Sequence, residues 1–474
     1  MRTRLRRRGL TALVALCSVA LGIAAPQPGL AFAGPAAPSP QLGWHRLAPA
    51  AAPEANPLEG FIPYAGKYST FPYTMEWFYL PLNAVMSGPD VFNWSALEAQ
   101  LNAIAARGHQ AAFRFYLDYP GKPSGIPRYL LDNGLVTHAY DDFGNNGLSV
   151  SPDYDDPNLG TALDQFIAAL GARYDGDPRI GFLQVGLLGF WGEWHTYPHD
   201  GYTLPENWFA SQAEQVRVLT DFDAAFNKTK LQVRYPSTDN APLGMGYHDD
   251  SFAVETLPGV GWHFMDKMIA AGTTGKWQSE PVGGELRPEI QGCIFDAPAD
   301  CPVIEGGADN DFPDSVAQTH ASWLLNQYAF DPGYAGPNLA RALAGSKSLG
   351  YQLQVTQAST PLFVRGRTFT VGVKMADLGI APFYYDWPPQ IAAVDARGHI
   401  TRTWTTPWQL TAVGPGRPAQ FTASLTSAGL RRGTYTLVMR AANPLPRGVP
   451  LRFANAAQDR TLRGWLTLGR TAVV

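Results

Sequence analysis

IGFLQVGLLGFWGEWH, residues 180–195, decides how the rest of this chain is read. From Ile180 to Leu188 only Gln184 interrupts an apolar run. Such a run is expected of a strand buried on both faces, as in a parallel sheet covered by helices. It ends at Gly189 and delivers Glu193, set between Trp191 and Trp194 and followed by His195. In a parallel barrel the C-terminal ends of the strands carry the site. One segment therefore predicts both a fold and a place for its chemistry.

On either side of it, strand-like and helix-like stretches alternate. Residues 60–64, 75–80, 111–117, 231–235, 246–250 and 281–285 read as strands. Trp94, Leu97, Leu101 and Ile104 fall at helical spacing, with Asn93 or Ser95 and Glu98 as capping residues. Leu163, Phe166, Ile167 and Leu170 mark a second helix, and Val218, Phe222 and Phe226 a third. Alternation of this kind predicts parallel βα units. Residues 56–345 are enough for an eight-fold (β/α) barrel, which needs about 250 residues. The stretch 65–73 is too short for a crossover helix. Past Gly350 the texture changes. YQLQVTQA, TFTVGVKM, QFTASL, GTYTLVMR and WLTLG alternate apolar and polar residues between turn signals. They predict a β-sandwich over residues 350–474.

The start of the chain has the pattern of an export signal. Arg2, Arg4, Arg6, Arg7 and Arg8 precede the uncharged run Thr11–Ala25, and Ala31-Phe32-Ala33 offers a cleavage site. Residues 1–33 are thus read as a signal peptide and residues 34–55, rich in Ala and Pro, as a linker. The destination is the extracellular space, or the periplasm of a cell with an outer membrane. Five arginines and no acids leave with the signal, so 31 basic residues face 40 acidic ones, a net charge of −9. That balance argues against nucleic acid or an anionic membrane as partner. Cys293 and Cys301 remain, and in an oxidising compartment they are expected to pair.

Two carboxylates dominate the candidate chemistry. Glu193, between two tryptophans, is expected to be partly desolvated and so to favour its protonated form; the alternative is that it pairs with an arginine. Glu285 lies in GGELRPE, residues 283–289, where two glycines permit close approach of a ligand. Its alternative is an ion pair with Arg287 or Arg234. Two carboxyl groups across a barrel mouth are what glycosidic cleavage needs, one to protonate the leaving oxygen and one to attack or activate water. Around them, Arg114 and Arg234 end strands and are candidates to hold carboxylates. His248, Asp249 and Asp250 are candidates to contact sugar hydroxyls, and so is Glu76 beside Trp77. Trp77, Trp191, Trp194, Trp262 and Trp323 offer flat faces to sugar rings. His195, His199 and Asp200, with His248 and Asp249, have no spacing that marks a metal site, and no cofactor is expected. No G-x-S-x-G, phosphate-binding glycine loop or H-E-x-x-H is present. In the sandwich, Asp386 and Trp387 are either a sugar contact or part of a packing patch between domains.

NPLEGFIPY, MEWFYLPL, YDGDPRIGFLQVGLLGFWGEWH, GYHDDSF, GGELRPE, THASWLL, APFYYDWP and PLRFAN, in that order from Asn56 onward, resemble the bacterial family known as domain of unknown function 4832. That family is grouped with the barrel-type glycoside hydrolases, so the resemblance implies a (β/α)₈ barrel followed by a β-sandwich. It names no substrate. Retaining members of the wider superfamily place an acid/base after the fourth strand and a nucleophile at the end of the seventh. Counting 60–64 as the first strand, these positions fall on Glu193 and Glu285. Where the superfamily usually has Asn before the acid/base, this chain has Gly192. The resulting expectation is a secreted glycoside hydrolase acting on a poly- or oligosaccharide by a retaining mechanism. The alternatives are a non-catalytic carbohydrate-binding or cell-surface protein on the same scaffold, and a metal-dependent hydrolase using His195, His248 and Asp249.

Overall fold

A computed structural model describes residues 43–296, 301–304 and 311–474. The export signal and residues 34–42 of the proposed linker lie outside them.

Eight parallel strands form the barrel: β1 (Gly60–Ile62), β2 (Met75–Pro81), β3 (Gln110–Asp118), β4 (Ile180–Gln184), β5 (Lys230–Val233), β6 (Met245–Phe252), β7 (Val282–Leu286) and β8 (Trp323–Leu325). From β2 onward each pairs with the next, and β8 pairs with β1. Closure between β1 and β2 is made just past β1, where Trp77 N donates to Pro63 O at 2.8 Å and Ala65 N donates to Trp77 O at 2.7 Å. The seven strands read from the sequence are all present. The eighth, only three residues long, sits inside THASWLL.

Among the described residues six helices of seven or more residues follow the strands, α1 (Ser95–Ala106), α2 (Pro157–Tyr174), α3 (Gln212–Ala225), α4 (Phe264–Ala270), α5 (Phe312–Thr319) and α6 (Gly336–Lys347), and a five-residue helix, Arg128–Asp132, precedes α2. Their starts carry the expected chemistry. Asp156 accepts from the N–H groups of Asn158 and Leu159 ahead of Pro157, and Ser211 accepts from Glu214 N. The crossovers from β1 to β2 and from β5 to β6 hold no helix.

After α6 the chain builds two antiparallel sheets face to face. One orders Trp44–Arg46, Leu353–Ser359, Thr368–Asp377 and Ala419–Thr426. The other orders Phe363–Val364, Leu466–Val473, Gly433–Ala441, Pro389–Val394 and Ile400–Thr405, its short first strand parallel to its neighbour. Trp44–Arg46 corrects the linker reading. These residues pair with Gln357–Ser359, and Trp44 packs over Gly372 with the Lys374 ammonium 4.9 Å from its ring. Trp44, His45 and Arg46 hold none of the Ala and Pro that surround them, and the Trp44 ring gives the strand a face to pack.

The sandwich covers the N-terminal ends of the barrel strands. Tyr385 Oη donates to Gly181 O at the start of β4 and accepts from Lys230 N at the start of β5. Tyr384 Oη donates to Trp277 O, and Glu59 accepts from Tyr351 N. Leu58, Ile62, Met75 and Phe182 share one apolar cluster with Phe383 and Trp387. Trp387 is buried there, so the Asp386–Trp387 pair belongs to domain packing; Asp386 accepts from Thr411. The C-terminal ends of the strands stay open.

Candidate active site

The mouth of the barrel holds a cleft of about 930 Å³. Its base carries Glu193, Asp250 and Glu285, with the tyrosines Tyr64, Tyr79 and Tyr119 beside them.

Glu193 arrives on an unusual piece of backbone. After β4 the chain steps sideways, and Leu187–Phe190 pairs with the end of β3. Leu187, Trp191 and Trp194 all have positive φ, at 72°, 53° and 63°. Non-glycine residues in that region cost about 1–3 kcal/mol each and cluster at functional sites. Gly192 has φ 70°, and a Cβ there would lie 2.9 Å from Phe115 O. That close approach favours glycine at this position. Gly283 is tight for a different reason from the one expected. A Cβ on it would lie 2.4 Å from Trp323 Nε1, so a tryptophan, not a ligand, uses the space.

Arg114 organises the base. Buried in the barrel, it donates through Nη1 to Asp250 Oδ2 at 2.7 Å and Gln184 Oε1 at 2.8 Å, and through Nη2 to Tyr79 Oη at 2.9 Å and to Glu193. Its guanidinium lies 4.8 Å from the centre of the Tyr79 ring. The planar guanidinium thus gives one nitrogen to each carboxylate and fixes the two relative to each other. Burial alone would raise the Asp250 pKa, but Arg114, His248 and Arg234 together hold it well below the usual carboxylate range. His248 meets Asp250 Oδ1 through Nδ1 at 3.0 Å, and burial lowers its pKa.

Glu285, at the end of β7, is different. Among the described residues its carboxyl has no hydrogen bond or ion pair. Both arginines named as its partners are engaged elsewhere: Arg287 with Glu289, Ser251 and Glu255, and Arg234 with Asp249 and Asp250. Burial pushes its pKa well above 4.5, and the negative charges of Asp250 and Glu193 push it further, against Arg114 and Arg287. The sequence reading placed the desolvated carboxyl at Glu193. The structure places it at Glu285, because Trp194 turns into the core, donating to Val185 O at 2.7 Å, and Glu193 meets Arg114 instead.

Of the other candidates, Trp191, His195, Arg234, Asp250, Arg287 and Trp262 line the cleft. His195 Nε2 is 3.8 Å from Glu193 Oε2. Trp77 and Trp323 do not line the cleft; they are buried near Glu285, their rings stacked at 5.9 Å. His248 is buried under Asp250. Asp249 is buried too, accepting from Thr256 Oγ1 and Ser251 N. Glu76 is not part of the cleft. Neighbours on a strand face opposite ways, so while Trp77 points inward Glu76 points out, accepting from Arg107 Nε at 2.7 Å and meeting His109 Nδ1 at 2.8 Å. The proposed histidine and aspartate set does not converge. His199 stacks on Trp208 and meets Asp142, while Asp200 caps a turn at Tyr202 and Thr203. Among the described residues no three His, Cys, Asp or Glu side chains are placed to hold a metal ion.

Sequence reasoning missed Tyr64, Tyr79, Tyr119, Phe143, Tyr197 and Tyr202. Tyr79 was within reach of it, two residues past an inward-facing Trp77 on the same strand. The rim residues belong to loops with no period to read.

No protein-family model matches the chain, and no curated protein matches it in sequence. Among solved structures it is similar to endo-glycoceramidase II from Rhodococcus sp., at 11% identity and a TM-score of 0.35, over 80% of this chain and 100% of that one. It is also similar to a GH5_18 protein from Bifidobacterium longum subsp. infantis, at 13% identity and 0.33, over 62% and 74%. A third likeness is to xylanase 10B from Thermotoga petrophila, at 10% identity and 0.29, over 48% and 60%. The barrel itself stands on the strand order of this chain.

Proposed function

We propose that this protein hydrolyses a glycosidic bond in the cleft, with Glu285 as proton donor and Glu193 as the carboxylate that attacks or activates water. The supporting observation is the contrast between the two groups. Glu285 has no counter-charge and a raised proton affinity, whereas Glu193 is ion-paired with Arg114. A carboxyl whose proton affinity is raised by burial is suited to the role of proton donor. The roles are the reverse of those that the superfamily pattern suggests. Three strained residues around Glu193 and the resemblance to domain of unknown function 4832 favour a working site at this position. Residues 2–33 and the Cys293–Cys301 disulfide favour export. Among the described residues no helix is long and apolar enough to cross a membrane.

One observation favours a second reading, a carbohydrate-binding protein without turnover: the buried guanidinium occupies a Glu193 oxygen. A panel of polysaccharides and aryl glycosides, offered to wild type, Glu193→Gln and Glu285→Gln, decides between them. Hydrolysis by wild type that falls by orders of magnitude in both variants is the expected result. Binding of a glycan without cleavage, unchanged by either substitution, would replace the enzyme with the binding protein.

A further inference from the structure

The rim of the cleft is aromatic, and much of that aromatic surface faces solvent. Tyr202 is 96% exposed, Tyr197 51%, Phe143 50% and Trp262 43%, and all four line the same cleft as Glu193 and Glu285. Large rings left in water at one place mark a surface meant to be covered. They are also distributed in a telling way. Phe143 lies on the connection after β3, Tyr197 and Tyr202 on the connection after β4, and Trp262 on the connection after β6. In a ring of eight strands these connections follow one another along an arc of the rim from β3 to β6, and Glu193 and Asp250 stand at the base within that arc, with Glu285 next to it at the end of β7. Trp191, against which Phe143 packs at 4.9 Å, continues the aromatic surface from the rim down to Glu193. A cleft of about 930 Å³ is near the upper end of the range for small-ligand sites, roughly 300–1,000 Å³. A single sugar ring would fill a small part of it and leave the rim uncovered.

Charge narrows the class. Six carboxylate side chains line the cleft, on Glu193, Asp200, Asp250, Glu255, Glu285 and Glu289, against the guanidinium groups of Arg234 and Arg287. Both arginines already face carboxylates. A chain of uronic acids would bring further negative charge into that field.

From these observations we infer that the cleft takes an internal stretch of an uncharged glycan, several rings long, lying along that aromatic arc from the Tyr202 side to the Trp262 side. Cleavage then falls within the chain and not at its end. This rests on the carbohydrate reading above and adds the form of the substrate to it.

The test is binding of cello-, xylo-, manno- and N-acetylated chito-oligosaccharides of two to six rings by titration calorimetry, with oligogalacturonate as the charged comparison. Glu285→Gln is used throughout, to prevent turnover. For one series, affinity should climb with every ring to at least the fourth. Tyr202→Ala and Trp262→Ala, each added to that background, should each weaken the six-ring ligand by about tenfold, or about 1.4 kcal/mol, and leave the two-ring ligand unaffected. Unchanged melting temperatures would show that both variants fold. A two-ring ligand bound as tightly as the six-ring one would overturn the inference and leave the carbohydrate reading standing, since the site would then hold a chain end. Preference for oligogalacturonate would overturn it as well. If no oligosaccharide of any length binds, the carbohydrate reading falls and the inference falls with it.

Discussion

The two ends of the barrel solve opposite problems. At the foot, the sandwich closes the strands with aromatic residues and a few neutral hydrogen bonds, such as those of Tyr385 Oη to Gly181 and Lys230. At the mouth, charged groups stay part-buried, and the structure keeps them there by pairing: Arg114 spans Glu193 and Asp250. A closed end can be made dry and is held by area. An open end that does chemistry must hold charge out of bulk water, and its stability rests on a few pairings that no neighbour can replace.

Breaking the pairings should therefore cost more than breaking the foot. Arg114→Leu leaves Glu193 without its guanidinium and Asp250 with only Arg234 and His248, and should lower stability by about 3–5 kcal/mol, measured as a shift in the urea midpoint. A cost below about 0.5 kcal/mol, ordinary for a surface change, would show that the guanidinium does not organise the mouth. Tyr385→Phe at the foot removes one donor and leaves Lys230 N unpaired, for about 1–3 kcal/mol. It should leave ligand binding in the cleft unchanged, and a loss of binding would mean that the two ends are coupled.

A pH series sharpens the contrast further. A carboxyl whose pKa is raised on folding binds its proton more tightly in the folded protein. Stability is then full below the ordinary value of 4.5 and is lost as pH rises from there toward the raised value. The loss is at most about 1.4 kcal/mol per pH unit for one proton. Glu285→Gln should flatten that slope, and hydrolytic activity in wild type should fall on the same alkaline side as the donor loses its proton. A slope that persists in the variant would assign the effect to another group. The smallest effect is expected from Asp386→Ala, an exposed residue bonded only to Thr411: within about 1 kcal/mol, with no change at the mouth.

What could be read in advance follows the same division. Strand β4 and the position of Glu193 after it are local facts, written in one apolar run and its ending. The place of Glu285 at the end of β7 followed from counting strands. Which carboxyl would be desolvated was not a local fact. It depends on Trp194 turning inward and on Arg114 reaching Glu193 and Asp250 from β3, contacts that join residues as far as 136 positions apart. Glu76 was misplaced because composition was read where alternation should have been, one residue from an inward Trp77. The docking of the sandwich on the foot left no trace in the sequence beyond the buried aromatics of APFYYDWP.

The strand Trp44–Arg46 gives the chain an unusual mechanical layout. The described chain enters through the sandwich, runs through the whole barrel and ends in the sandwich again, with Leu466–Val473 in the second sheet. A pull applied between the two ends meets the hydrogen bonds at Gln357–Ser359 before it reaches any barrel strand. The barrel hangs inside a clasp made from its own flanking segments, and a force that opens the clasp need not deform the cleft.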